Sequence, residues 1–233
     1  MTLAALRRRV LDANRAIVDA GLVTLTFGNA SAVDRASGLM AIKPSGVPYD
    51  DLDLDAIVLV DLETGIVQGG ELRPSSDAPT HRALYRGFPG VGGIVHTHSP
   101  AATAWAQAAR DLPCLGTTHA DHFRGAIPVT RCLTSAEIEG AYEERTGVAI
   151  VEAIDARGFD PLDLPAALVV SHGPFTWGAE IEDAVANAVA LEAVAVLAER
   201  TLALRPDCCE LDAELLNRHF ARKHGSSRYY GQP

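Results

Sequence analysis

Two histidines one residue apart, His96 and His98, close an apolar run that opens Gly92-Gly93-Ile94-Val95. Such a run reads as a buried strand, and side chains at i and i+2 of a strand share one face. Two imidazoles on one face are half of a metal site. The fold must therefore deliver further ligands to the end of that strand. Asp77, at the start of a predicted helix, is one candidate. The other is His172, which follows a second buried run, Ala167 to Ser171. A lone strand histidine is usually just bonded to backbone; the paired spacing is what favours the metal. Three imidazoles and one carboxylate, with no cysteine among them, describe a site that leaves room for substrate, and so an enzyme.

The rest of the composition narrows the chemistry. The 233 residues carry a net charge of −10 with a pI near 5.2, which argues against nucleic-acid partners. An anionic small molecule remains compatible, because local backbone N–H groups can oppose the global field. No repeat or linker divides the chain, so residues 1–233 are expected to form one domain. Arg7, Arg8 and Arg9 are not followed by a signal-peptide core, and Asn187 and Glu192 interrupt the longest apolar run. No membrane span and a cytoplasmic location with reduced cysteines are expected.

Periodicity predicts helices over 2–20, 77–86 with Ser76 as cap, 100–110, 135–157 with a break at Gly147, 180–203 and 211–224. It predicts strands at 31–33, 39–42, 57–60, 66–68, 93–98, 127–130 and 167–171. Hairpins interleaved with helices predict an α/β layered domain: a mainly antiparallel central sheet flanked by helices.

Three turns have the makings of a phosphate site: Phe27-Gly28-Asn29-Ala30-Ser31, Lys43-Pro44-Ser45-Gly46 and Arg73-Pro74-Ser75-Ser76-Asp77. They supply hydroxyls, glycine-freed amides, a lysine and a helix start. A further loop, Thr117 to Phe123, gathers His119, Asp121 and His122. The tail holds His224, Tyr229 and Tyr230.

Taken together, these motifs resemble the class II aldolase and epimerase family. The marks are Gly28-Asn29-Ala30-Ser31, Lys43-Pro44-Ser45-Gly46, Ser75-Ser76-Asp77, Thr80-His81, His96-Thr97-His98-Ser99 and Ser171-His172-Gly173. The loop Leu115 to Asp121 and the segment Arg222 to Gln232 place it nearest the epimerase branch. The resemblance implies zinc, replaceable by manganese or cobalt, on Asp77, His96, His98 and His172. It implies a sugar-phosphate substrate held by Gly28, Asn29, Lys43, Ser45, Gly46, Ser75 and Ser76. Asp121 and Tyr230 would be the acid/base pair that lets a C–C bond be cleaved and remade with inversion. A cyclic homotetramer with active sites between subunits is implied as well. The family's aldolases carry glutamate at the position of Asp77, which favours the epimerase branch. His122 and Arg124 stand where relatives usually have aromatic residues. An aldolase or dehydratase of the same superfamily is the near alternative, and a non-catalytic association domain the distant one.

Overall fold

Two short apolar runs, β1 (Asn29–Asp34) and β2 (Leu39–Ile42), pair antiparallel around a tight turn at Gly38. In this computed structural model, which describes residues 1–225 and 229, a seven-stranded sheet extends from that pair. The other strands are β3 (Val58–Asp61), β4 (Val67–Gly69), β5 (Gly93–His96), β6 (Ala166–Val169) and β7 (Gly173–Gly178). Their order is β4-β3-β2-β1-β5-β7-β6, and every pairing is antiparallel. The helices are α1 (Leu3–Asp19), α2 (Ala78–Gly87), α3 (Pro100–Gln107), α4 (Thr117–Ala120), α5 (Ser135–Glu139), α6 (Tyr142–Asp155), α7 (Ile181–Leu204) and α8 (Ala213–His224). The layered α/β arrangement expected from the sequence is the one observed.

Strand alternation sorts the core into two clusters. On one face Ala30, Ala32, Ala41, Leu59 and Val95 pack against Leu6, Val10 and Ile17 of α1 and the start of α7. On the other, Val33, Ile42, Val58, Ile94 and Trp177 pack against α2, α3, α6 and the rest of α7. Asn29, Ser31 and His96 project toward this second face. Register then lines up a row across three strands: Asn29 opposes His96, and His96 opposes Phe175.

Several boundaries depart from expectation, each for a physical reason. Strand β5 ends at His96, so His98 lies beyond it in the approach to α3. Residues 127–130 join no strand; isolated bridges tie Ile127 to Leu112 and Val129 to Leu168. Pro128, which has no N–H, cannot continue a ladder there. Strand β7 is absent from the predicted set, because Gly173 and Pro174 read as turn residues. Asp77, not Ser76, occupies the N-cap position of α2, and its side chain makes no cap bond. The predicted helix over 135–157 breaks at Gly140 and Ala141 rather than at Gly147. Gly147 lies inside α6, where a Cβ would meet the Ala83 Cβ at 2.6 Å and the Thr80 carbonyl oxygen at 2.8 Å. The residue is glycine because α6 must close against α2. Among the described residues, no helix is long and apolar enough to cross a membrane. All four cysteines are free.

Gly147→Ala should lower stability by about 1–2 kcal/mol, because overpacking outweighs the gain in helix propensity. A lower denaturant midpoint with an unchanged slope is the expected readout; a higher midpoint would show that α2 and α6 can part freely.

Candidate functional site

The end of β5 opens into a cleft of about 390 Å³. Gly28, Asn29, Lys43, Ser45, Gly46, Ser75, Ser76, Asp77, His96, His98 and His172 all line it. Every residue expected to hold the metal or the anion thus faces one space.

The three imidazoles form its floor. One nitrogen from each of His96, His98 and His172 lies within 4.8 Å of the others. His96 and His98 place their Nε2 atoms 3.1 Å apart. His96 is buried, and its ring stacks on Phe175 with centroids 4.2 Å apart. Its Nδ1 lies 2.9 Å from the Pro174 carbonyl oxygen, to which it donates, so Nε2 carries the lone pair. Burial pushes the His96 pKa down to about 3 and lowers His98 and His172 as well. All three are therefore neutral near pH 7, the state in which imidazole ligates a metal.

Close backbone packing brings them there. Gly28 has φ +84, and a Cβ on it would meet the His96 carbonyl oxygen at 2.7 Å. A Cβ at Gly173 would meet the Thr97 carbonyl oxygen at 2.8 Å. Ser171 takes a left-handed conformation with φ 60, rare for a residue with a side chain. Its N–H donates to the Ala106 carbonyl, and His172 N–H donates back to Val169. This strained turn is what aims His172 into the cleft.

Asp77 reaches the same cleft but lies outside the three-imidazole group. Its Oδ2 accepts from Asn29 Nδ2 at 2.7 Å and from Ser75 Oγ at 3.5 Å. Burial works to raise its pKa. The Asn29 amide that donates to Oδ2 works against that, and the carboxyl stays below the usual carboxylate range.

The anion side of the cleft is stitched from two turns. Ser45 N–H donates to the Arg73 carbonyl, and Ser75 N–H to the Lys43 carbonyl. Between them Lys43 is 1% exposed. Its Nζ donates to the Pro44 carbonyl at 3.3 Å and lies 4.7 Å from the Tyr49 ring centroid. Burial lowers its pKa, and among the described residues it forms no ion pair. A buried ammonium so poorly partnered would be stabilised by an anion.

The proposed proton handlers are placed elsewhere. Among the described residues, Asp121 does not line this cleft. It caps α4 and is clamped by α8. Arg222 donates through Nε at 2.9 Å and Nη2 at 2.5 Å, and His219 Nδ1 lies at 3.1 Å. Burial works to raise the Asp121 pKa, but these donors hold it below the usual carboxylate range. Tyr230 lies outside the described residues. His122 and Arg124 serve the same docking: His122 Nε2 faces Lys223 Nζ at 3.2 Å, and Arg124 pairs with Asp163 and lies over Phe220. Tyr142 and Glu143, at the start of α6, also wall the cleft. Nothing in their local sequence marks them, since a helix start after Gly140 carries no site signal of its own.

Residues 8–198 match the family model described as Class II Aldolase and Adducin N-terminal domain. The chain is 50% identical over 227 residues to L-ribulose-5-phosphate 4-epimerase UlaF of Salmonella paratyphi C (strain RKS4594), covering 97% of this chain and 98% of that protein. The same figures hold for the UlaF protein of Salmonella choleraesuis (strain SC-B67). Among solved structures, an L-fuculose 1-phosphate aldolase superposes with a TM-score of 0.79 at 23% identity, covering 92% of this chain and 94% of its own. An L-fuculose-1-phosphate aldolase from Thermus thermophilus gives 0.69 at 22% identity, covering 88% and 99%. These two likenesses establish the fold. The motif set, the fold and the family match converge: the chain belongs to the class II aldolase and adducin N-terminal domain family.

Proposed function

We propose that this chain is a one-domain, metal-dependent enzyme that interconverts L-ribulose 5-phosphate and D-xylulose 5-phosphate by inverting C4. The observation that carries this reading is the pairing, in one cleft, of three neutral imidazoles with a buried lysine that forms no ion pair among the described residues. Near-full-length identity of 50% to the epimerase supports the choice of substrate.

The donor set fits a divalent cation. His96, His98 and His172 are neutral and convergent, and Asp77 supplies an ionised carboxylate on the same cleft. Zinc on these residues, or manganese or cobalt in its place, would supply Lewis-acid stabilisation of negative charge developing on substrate oxygens. Lys43, with Gly28, Asn29, Ser45, Gly46, Ser75 and Ser76, holds the phosphate.

The chemistry follows from the position of C4. It is β to the C2 carbonyl, so its C–H is not acidic and simple deprotonation is unavailable. Breaking C3–C4 is the accessible route. A base takes the proton of the C4 hydroxyl as that bond breaks. The C1–C3 fragment keeps the electron pair as an enediolate, and C4–C5 leaves as glycolaldehyde phosphate. Lys43 and the serine turns keep the phosphate anchored while the aldehyde turns its other face. Re-addition then makes the epimer, and an acid on the opposite side returns the proton. Asp121 and Tyr230 are assigned these two roles. Asp121 is ionised, held by Arg222 and His219, and stands outside the cleft wall of its own chain. A cyclic homotetramer with active sites between subunits, as the family resemblance implies, would bring Tyr230 to the site from a neighbouring subunit.

Incubation of the purified protein with L-ribulose 5-phosphate tests the assignment. D-xylulose 5-phosphate should accumulate. Net release of glycolaldehyde phosphate would make it an aldolase instead. Asp121→Asn and Tyr230→Phe should each slow epimerisation by about 10²–10⁴-fold with metal content unchanged. Parental turnover in either variant would cancel that residue's role. Chelation should abolish activity, and zinc, manganese or cobalt should restore it; full turnover by metal-free protein would refute the metal's part.

A further inference from the structure

An imidazole ligand has two ring nitrogens, and whatever holds the outer one decides which atom faces the metal. The backbone does this for His96 through the Pro174 carbonyl. For His172 the group in that position is a side chain: Nδ1 lies 3.5 Å from the Tyr142 hydroxyl oxygen.

Tyr142 is held independently of the imidazoles. It is the first residue of α6, and Thr146 Oγ1 donates to its carbonyl at 2.9 Å. One residue on, the Glu143 carbonyl accepts from Thr80 Oγ1 of α2 at 2.6 Å. Gly147 lets the two helices close, so the phenol stands on the same rigid helix pair that begins at Asp77. Tyr142 also lines a second cavity, of about 220 Å³, together with Ser171. His172 is thus bounded by the strained Ser171 turn on the chain side and by Tyr142 on the ring side.

We propose that Tyr142 is a positioning residue of the metal centre. Its hydroxyl oxygen accepts the Nδ1 proton of His172 and fixes the tautomer that turns Nε2 toward His96 and His98. The proposal rests on reading the three imidazoles as metal ligands. At 3.5 Å the bond is at the long end of the range, so its contribution is orientation more than strength.

The test compares zinc affinity, by competition with a chromophoric chelator, in the full-length parent, Tyr142→Phe and His172→Asn. Inorganic phosphate affinity is measured alongside. Tyr142→Phe should weaken zinc binding by about tenfold, the lower end for loss of an outer partner. Its phosphate affinity and circular dichroism should match the parent. Parental zinc affinity in Tyr142→Phe would overturn the proposal. A parallel loss of zinc and phosphate binding would overturn it too, since that marks a wall residue whose loss disturbs the whole cleft. A failure of the underlying reading looks different: His172→Asn would then bind zinc as tightly as the parent, and the role given to Tyr142 would fall with it.

Discussion

The site depends on one cross-strand row. Asn29, His96 and Phe175 stand side by side on β1, β5 and β7, on the face covered by α2. Side-chain period in a strand is two, so a one-residue slip of β5 would turn His96 into the α1 side of the core. The row fixes more than one of the proposed ligands. Asn29 reaches from it to the Asp77 carboxylate, and Phe175 supports the His96 ring from below. Behind it, Ser31 bonds both His81 and Tyr85 of α2, which seats the helix that begins at Asp77. Sheet register, helix placement and ligand geometry are thereby one constraint.

Electrostatics give the cleft its two ends. Burial keeps the imidazoles neutral and so able to ligate a cation, and it also encloses Lys43, which forms no ion pair among the described residues. A buried charge without a partner is costly, and the cost is relieved when an anion enters. On the proposed function, the cleft suits a molecule with a phosphate at one end and metal-binding oxygens at the other. A protein of net charge −10 can take such a molecule because the selection is local.

Much of this is legible in the sequence alone. Strands β1 to β4, the long helices and all four proposed metal ligands follow from period and motif. The imidazoles of His96 and His98 do meet, though not by sharing a strand face. His98 is not on the strand, and the pair meets because the chain turns toward α3 immediately after His96. What stays hidden depends on contacts distant in sequence. Gly147 reads as a helix breaker when considered alone, yet it is the residue that lets α2 and α6 touch. The Gly-Pro start of β7 looks like a turn until its neighbours β5 and β6 are in place. Tyr142 and Glu143 become cleft residues only through that helix packing. His122 and Arg124 find their contacts in the docking of α8 against α4.

On the proposed function, His96, His98 and His172 together hold the metal on which the chemistry depends. X-ray absorption at the zinc edge of the loaded protein tests it most directly. Three imidazole nitrogens at about 2.0–2.1 Å, with the remaining coordination from oxygen, are expected. A sulfur shell near about 2.3 Å, or fewer than three imidazoles, would contradict it.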